Sequence, residues 1–246
     1  MNNRLLIVAA LGDEVRIIRS KMVMDSTIHF KPAILYRGQY QNQEVDLLVT
    51  GMGMDRARKG LTQTLEGFAP KLILHVGYAG GTSPVAGLGC LVLADRVTET
   101  QSGNFFRTDS SLFEKAKTLC EEQRLSHCVG GIVTVSKVIS SPHEKADIGA
   151  THGAIALDME AAGISQIACA RKIPFLVAKA VLDQVEMELP NFQDCIEATG
   201  ETKPVKLVRR LFKNPKEMMA LSHLSYNASQ ARSAVTQFVE KWMQVV

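Results

Sequence analysis

Continuous apolar runs alternate with amphipathic segments along the chain, and this alternation predicts strands that alternate with helices. Arg4–Ala10 and Leu72–Val76 are apolar almost throughout, which is typical of strands buried on both faces. Ser111–Gln123 repeats its apolar residues at helical spacing, which predicts a helix with one buried face. We find no internal repeat and no low-complexity linker. The pattern therefore predicts one α/β domain over residues 1–246, a three-layer α/β/α sandwich with a central mixed sheet.

Further segments carry the same signals. The other predicted strands are the hairpin Ile34–Thr50 and the segments Cys90–Ala94, Gly130–Val135, Ala154–Asp158 and Phe175–Leu182. The other predicted helices are Val15–Met22, Asp55–Gly67, His143–Ala150, Ala161–Arg171, Pro204–Phe212 and Pro215–Val246. Two stretches are expected to be irregular: the glycine-rich Gly77–Gly81, and the polar Asp95–Arg107, which we interpret as a flap.

The stretch from Ala154 to Asp183 predicts where a ligand binds. It has the pattern of a strand, a helix and a second strand, which is typical of a crossover unit. Glu160 and Asp183 lie just past the ends of the two strands, which we expect to be neighbours in the sheet. Open α/β sheets bind ligands beyond the carboxyl ends of their strands. The two carboxylates therefore mark the expected site.

Two other strand ends carry candidate residues. Glu14 lies at the turn between the first strand and the first helix, much as Glu160 does later. Acids are also common there without any function, because the helix dipole favours negative charge in the first turn, so both interpretations stay open. Gly51-Met52-Gly53 follows another strand and is a weak match to loops whose backbone approaches a ligand, with a plain tight turn as the alternative.

Composition narrows the class of protein without identifying it. A hydrophobic content of 46% and a charged content of 22% are typical of globular enzymes, and a net charge of +3 gives no basis for nucleic-acid or membrane binding. The five cysteines have no paired spacing, so we expect free thiols, no disulfide and no metal site. No signal-peptide pattern is present, and no apolar run reaches the roughly 18 residues that span a bilayer, so we expect a cytoplasmic protein.

Six short motifs, which occur in order between residues 4 and 183, are similar to one enzyme family. They are IVAALGDEV (7–15), GMG (51–53), GYAGG (77–81), VTVSKVI (133–139), LDMEAAG (157–163) and KAVLD (179–183). In these motifs the chain resembles the purine nucleoside phosphorylase and nucleosidase superfamily. Within it, the chain is most similar to methylthioadenosine/S-adenosylhomocysteine nucleosidases and hopanoid-associated nucleoside phosphorylases, and its tail from Gly200 onward resembles the second group more. The resemblance implies a nucleoside phosphorylase-like fold and an enzyme that cleaves the N-glycosidic bond of an adenosine-type nucleoside.

The resemblance also implies a role for each carboxylate. Asp183 would donate a proton to N7 of the leaving purine, which is a poor leaving group unless it is protonated. Glu160 would accept hydrogen bonds from the 2′ and 3′ hydroxyls of the ribose and place negative charge near the cationic sugar. Glu14 would orient and deprotonate the attacking water. The other expected substrate-binding residues are Met159, Val138, Ile139, Gly80, Tyr78 and Met52.

Four positions depart from the family pattern. Leu182 and Lys179 stand where serine and arginine are usual, and Tyr78 replaces a small residue, which leaves the identity of the substrate open. His75 stands where phosphorylases of the superfamily often have a phosphate-binding arginine. We interpret His75 as a structural histidine whose hydrogen bonds are satisfied.

Either water or phosphate can be the nucleophile in such a family. Glu14 and the histidine at position 75 favour water, because water must lose a proton whereas phosphate needs a cationic partner. The alternative is phosphorolysis of an adenosylhopane-like substrate, with phosphate as co-substrate. A non-catalytic nucleoside-binding protein is a third interpretation. No other cofactor is expected.

The expected partners are a small-molecule nucleoside and a second copy of the chain. A homodimer is implied by the resemblance and is favoured by three apolar residues near the start of the second predicted helix, Met52, Met54 and Leu61. The alternative is that this face packs against its own sheet.

Overall fold

Ten strands and six helices make up the part of the chain that the computed structural model describes, residues 4–189 and 215–246. The strands are β1 Leu5–Ala9, β2 Val23–His29, β3 Ile34–Tyr40, β4 Gln43–Val49, β5 Leu72–Gly81, β6 Leu91–Glu99, β7 Phe105–Arg107, β8 His127–Thr134, β9 Ala154–Asp158 and β10 Phe175–Asp183. The helices are α1 Arg16–Lys21, α2 Met54–Thr64, α3 Ser110–Glu122, α4 Pro142–His152, α5 Ala161–Arg171 and α6 Pro215–Trp242. The predicted helix Pro204–Phe212 lies outside the described residues.

All ten strands belong to one mixed sheet. The ladder runs from β2 through β3, β4 and β1 to β5, and β7 pairs with β6. Beyond β5 the sheet closes on itself, because β5 pairs with β10, β10 with β6, β6 with β8, β8 with β9, and β9 again with β5. Contrary to our expectation, β9 and β10 are not neighbours. Each pairs instead with the glycine-rich end of β5.

Helices cover the sheet on two sides. The buried side chains of α1, α3 and α6 pack on one face of the sheet, and those of α2 and α5 pack on the other face. The long helix α6 buries the apolar stripe that its sequence predicts, including Ala231, Val235, Phe238 and Trp242. The expected three-layer architecture around a mixed sheet is therefore confirmed.

Three sequence-based predictions about elements were wrong. The glycine-rich segment is not a loop, because β5 continues to Gly81 and pairs there with both β9 and β10. The expected flap Asp95–Arg107 is mostly strand, since β6 extends to Glu99 and β7 pairs with it. Strand β2 was missed because none of its side chains is buried, so its sequence has no apolar alternation to detect.

Candidate active site

The glycine-rich end of β5 brings two acidic side chains close to its backbone. A Cβ atom at Gly77 would lie 2.6 Å from Oε1 of Glu14, and Gly77 has a φ of +147°. A Cβ atom at Gly80 would lie 3.2 Å from Oδ2 of Asp183. Glycine is therefore needed at position 77, because any side chain there would displace the Glu14 carboxylate. At position 80 a side chain would crowd the Asp183 carboxylate. The expected substrate-binding position Gly80 is directly beneath Asp183.

Glu14 is held almost entirely by backbone amides. Its Oε2 accepts hydrogen bonds from the N–H groups of Ala10 at 2.8 Å and Leu11 at 2.9 Å, and its Oε1 accepts one from Tyr78 N–H at 2.8 Å. Burial raises the pKa of Glu14, while Lys179 and these amides oppose the rise. Three bonds leave acceptor capacity on the carboxylate, so Glu14 can hold a further donor such as a water molecule.

Glu160 links the start of α5 to the loop that precedes α2. Its Oε1 accepts a hydrogen bond from Gly53 N–H at 2.8 Å. Gly53 has a φ of +104°, a conformation that favours glycine in this turn after β4. Its Oε2 lies 3.9 Å from Nζ of Lys179. Burial raises the pKa of Glu160 to about 7; Lys179 opposes this rise, and the nearby carboxylates Asp158 and Glu14 add to it.

Lys179 is fully buried and interacts electrostatically with three carboxylates. Its Nζ lies 3.3 Å from Oδ2 of Asp158 and 3.9 Å from Oε2 of Glu160, and Glu14 is close enough to interact electrostatically. Burial acts to lower the pKa of Lys179, but the three carboxylates outweigh it and the pKa is raised. Lys179 is therefore charged, and the ionised group of four would carry an excess of negative charge.

Asp158 is a functional candidate that sequence reasoning missed. Its Oδ1 accepts a hydrogen bond from Thr134 Oγ1 at 2.7 Å, and its Oδ2 accepts one from Ala161 N–H at 2.8 Å. Thr134 Oγ1 in turn accepts a hydrogen bond from Ala162 N–H at 2.9 Å. Asp158 thus fixes the start of α5, and with it Glu160. An acid at a strand end just before a helix was the available signal.

His75 lies on β5 and is fully buried. We had expected its hydrogen bonds to be satisfied, but neither ring nitrogen has a partner within the described residues. Burial, reinforced by the charge of Lys179, holds the pKa of His75 well below its usual value. The ring is therefore neutral and supplies no positive charge at the position where an arginine would bind phosphate.

Asp183 has its own buried lysine, which sequence reasoning also missed. Nζ of Lys145, on α4, donates to Oδ2 of Asp183 at 2.5 Å, and Lys145 is fully buried. Burial raises the pKa of Asp183, and Lys145 opposes the rise. Asp183 can therefore retain a proton nearer to neutrality than an exposed aspartate does. In the sequence, Lys145 is one charged residue in a polar helix and resembles a solvated one.

The side chain of Tyr78 lies on the side of the sheet that α6 covers. Its hydroxyl donates to Oδ2 of Asp13 at 2.9 Å, and its ring packs against the core formed by α1, α3 and α6. Arg232 of α6 donates to both carboxylate oxygens of Asp13, at 2.8 and 2.7 Å. The side chain of Tyr78 thus ties α6 to the turn that carries Glu14, while its backbone amide contacts Glu14 directly.

The apolar candidates divide between two places. Met159 and Ile139 pack in one small cluster with Leu157, whose Cδ1 would lie 3.2 Å from a Cβ at Gly80. This cluster is therefore beside Asp183. Val138 is partly exposed in the adjoining loop. Met52 lines a pocket of about 290 Å³ at the start of α2, and Gly53, the hydrogen-bond partner of Glu160, also lines it.

A model of the phosphorylase superfamily matches residues 4–213, which is most of the chain and includes every candidate site residue. The chain belongs to the phosphorylase superfamily. The resemblance seen in the sequence motifs is thereby confirmed. Superfamily membership places the glycine-rich strand and its carboxylates in a fold of enzymes that act on nucleosides.

Curated relatives in this superfamily include two 5′-methylthioadenosine/S-adenosylhomocysteine nucleosidases. The protein from Listeria monocytogenes is 29% identical over 226 residues, which is 83% of this chain and 97% of the relative. The protein from Tolumonas auensis is 27% identical over 223 residues, with the same shares of the two chains.

Solved structures of the superfamily share the fold. A methylthioadenosine/S-adenosylhomocysteine nucleosidase from Neisseria meningitidis, in complex with methylthio-immucillin-A, superposes with a TM-score of 0.79 at 19% identity, covering 99% of this chain and all of the other. Futalosine hydrolase of Helicobacter pylori also gives 0.79, at 16% identity, covering 99% and 98%. At these identities the structures establish the fold alone.

Neither a metal site nor a membrane-spanning helix occurs among the described residues. Within 4–189 and 215–246, no group of three His, Cys, Asp or Glu side chains is arranged to hold a metal ion. Among the described helices, none combines the length and apolar character needed to cross a bilayer.

Proposed function

We propose that this phosphorylase-superfamily protein hydrolyses the N-glycosidic bond of an adenosine-type nucleoside and releases adenine. The observation that carries the proposal is the gathering of Glu14, Glu160 and Asp183 around the glycine-rich end of β5, all three buried. Such a concentration of buried acids is costly to folding and is typical of a catalytic site. The nucleosidases of Listeria and Tolumonas support the same reaction class.

Asp183 acts as the general acid in this proposal. Burial raises the pKa of its carboxyl group, which favours retention of the proton that the reaction needs. Transfer of that proton to N7 of the purine lets the bond between C1′ and N9 break, and the electron pair of that bond remains with the base. Adenine then leaves as a neutral molecule, and Asp183 regains its proton from solvent.

Glu160 and its neighbours stabilise the sugar as positive charge develops on it. Glu14, Asp158 and Glu160 outnumber the single cation Lys179, so the group can present net negative charge to the sugar when these carboxyl groups are ionised. Oε1 of Glu160 is bound to Gly53 N–H, which leaves Oε2 and the remaining lone pairs to accept the ribose hydroxyls. Glu160 therefore recognises ribose and favours the cationic transition state.

Water is the nucleophile in the proposed reaction, and Glu14 is its base. The three backbone amides fix the direction of the Glu14 carboxylate, as a base that positions water requires. The water forms its bond to C1′ and gives one proton to Glu14. The neutral His75 offers no cationic partner for phosphate, which supports hydrolysis over phosphorolysis.

The dimer and the cytoplasmic location remain proposals. Leu61 belongs to the core between α2 and the sheet, so it cannot form an interface, and that part of the expectation was wrong. Met54 also packs against this core, and its backbone closely approaches Gly163 of α5. The homodimer now rests on the family resemblance and on the partly exposed Met52. Light scattering at micromolar concentration would show a particle of twice the chain mass if it is right.

A substrate panel tests the proposed function. The purified chain is incubated with methylthioadenosine, S-adenosylhomocysteine, adenosine and inosine, and released base is separated by liquid chromatography. We expect adenine from at least one adenosine-type nucleoside and little hypoxanthine from inosine. Binding of adenine without cleavage of any nucleoside would contradict the proposal and favour a non-catalytic binding protein.

A further inference from the structure

Lys145 is an unusual residue for the inner side of a short helix. It lies on α4 with no exposed surface, although lysine is among the residue types that proteins bury least. Burying an ammonium group is costly unless its charge is paired and its protons are hydrogen-bonded. A lysine that is fully buried at one edge of a proposed active site therefore needs an explanation.

All three protons of the Lys145 ammonium group have an acceptor. Nζ donates to Oδ2 of Asp183 at 2.5 Å, to the carbonyl oxygen of Gln184 at 3.1 Å and to that of Met187 at 2.8 Å. Two of these acceptors belong to the backbone that follows β10. Lys145 thus holds both the Asp183 side chain and the chain segment that carries it away from the sheet.

The bond to Lys145 distinguishes the two oxygens of Asp183. Oδ2 accepts the hydrogen bond from Lys145 and lies 3.2 Å from where a Cβ atom of Gly80 would be. Oδ1 lies 3.4 Å from that position. Among the described residues, no hydrogen bond reaches Oδ1. An ammonium group beside Oδ2 disfavours a proton on that oxygen, so the acidic proton of Asp183 is favoured on Oδ1.

We propose that Lys145 is a positioning residue for the reaction, which fixes Asp183 through Oδ2 so that Oδ1 delivers the proton to the leaving base. The inference rests on the proposed function, because it concerns the acid of that reaction. The same ion pair sets the strength of the acid. Lys145 opposes the effect of burial on the pKa of Asp183, so it makes Asp183 a stronger acid than burial alone would.

The first test replaces Lys145 with methionine, which has similar length and no charge. We expect kcat for adenine release to fall on the order of 10²-fold, because a misplaced acid loses that much. The alkaline limb of the pH profile should move to higher pH, since Asp183 without the cation stays protonated longer. Lys137→Met is the matched control. Like Lys145, Lys137 forms an ion pair with a carboxylate, that of Glu144 at 3.3 Å, but Lys137 is exposed. It should leave rate and profile unchanged.

A double variant separates positioning from a merely structural role. If Lys145 acts through Asp183, then Lys145→Met in the Asp183→Asn background should cost no further activity. The double variant also leaves no unpaired buried charge, so it is the safer one to fold. If Lys145 only supports the fold, Lys145→Met should reduce activity by the same factor in both backgrounds, and the inference would be overturned.

A measurement without turnover keeps this inference distinct from the proposed function. Carbon-13 NMR of labelled aspartate carboxyls, with the Asp183 signal assigned from Asp183→Asn, follows the titration of Asp183 directly. We expect its midpoint to rise in Lys145→Met and to return towards the parent value in Lys145→Arg. An inactive parent protein with this titration behaviour would refute the proposed function alone. An active parent whose Lys145→Met variant keeps its rate, pH profile and titration midpoint would refute the role of Lys145 alone.

Discussion

Lys145 and Lys179 are both fully buried lysines near the glycine-rich end of β5, but they neutralise different amounts of charge. Lys145 contacts one carboxylate, Asp183, and satisfies its other protons with two backbone carbonyls. Lys179 has three carboxylates around it, and Asp158 is the nearest at 3.3 Å. One half of the site is therefore a neutral pair, and the other can be anionic.

This difference matches the two demands of glycosidic cleavage. A leaving base needs one proton from an acid whose direction and strength are fixed, and a carboxyl group held by a single lysine can provide both. A sugar that becomes cationic needs a surrounding negative charge, which an incompletely neutralised cluster provides. The two halves carry different chemistry because Lys145 neutralises one carboxylate, whereas Lys179 is shared among three. The predictions below test that distinction.

The largest effect is expected when the proton donor is removed. Asp183→Asn keeps the shape of the side chain and eliminates the acid, so adenine release should fall about 10²- to 10⁴-fold. Binding of the nucleoside should persist, because the Glu160 half, which recognises ribose, is untouched. Rates come from a chromatographic assay, and binding comes from calorimetry. Unchanged turnover would remove Asp183 from the mechanism.

Removing Lys179 should cost more stability than removing Lys145. Lys179→Met leaves three buried carboxylates without their cation, and breaking a buried pair typically costs about 3–5 kcal/mol of unfolding free energy. In Lys145→Met only Asp183 loses its partner, and protonation of that one group relieves the charge. Urea unfolding at pH 8 measures both losses, with Lys179→Arg as the control that keeps the charge. Equal losses of unfolding free energy would contradict the idea that Lys179 neutralises more buried charge than Lys145.

Glu160 should make the fold less stable as pH rises. Its pKa is raised from 4.5 to about 7 in the folded protein, so its contribution is fully present below pH 4.5 and is lost as pH rises through 7. The change amounts to at most about 3 kcal/mol. Urea unfolding at pH 5 and pH 8 should show a smaller difference in Glu160→Gln than in the parent protein. The same difference in both would place the titrating group elsewhere.

These predictions depend on residues of two kinds, and only one kind could be identified from sequence. Glu14, Glu160 and Asp183 each lie at or just past a strand end, so the pattern of apolar runs located them. The rule for parallel strands covers β1, β5 and β10, whereas β9 pairs antiparallel with β5. Lys145 and Asp158 could not be found in the same way. Their roles come from tertiary contacts between α4 and β10 and between β8, β9 and α5, which no local pattern encodes.

The glycine-rich segment shows a second limit of the sequence. Gly77 to Gly81 looked like a loop because glycine is rare in strands. In the fold these glycines are part of β5, since two carboxylates and two partner strands approach its backbone there. The close approach of a ligand or a backbone was inferred correctly, but its secondary structure was not. Strand propensity gives the wrong prediction here, because the lack of space above the strand, and not the preference of the backbone, selects glycine.

The smallest effect is expected on the far side of the sheet. Tyr78→Phe removes the 2.9 Å hydrogen bond to Asp13, which remains paired with Arg232. The unfolding free energy should fall by about 0.5–1.5 kcal/mol, and adenine release should change little, since Glu14 is held by the backbone of Tyr78. Tyr36→Phe, which loses a 3.1 Å bond from Arg19, is the matched control for stability. A large loss of activity in Tyr78→Phe alone would show that the hydroxyl acts in the site.

Adenine release with and without phosphate tests the central claim most directly. The purified chain is assayed with an adenosine-type nucleoside in phosphate-free buffer, and phosphate is then titrated in while the sugar product is identified. The site has a fixed Glu14 carboxylate and a neutral His75, so we expect release of adenine and free sugar at a rate that phosphate does not raise. Negligible release without phosphate, followed by saturation and formation of a sugar 1-phosphate, would make the protein a phosphorylase and contradict the assignment of Glu14 as base.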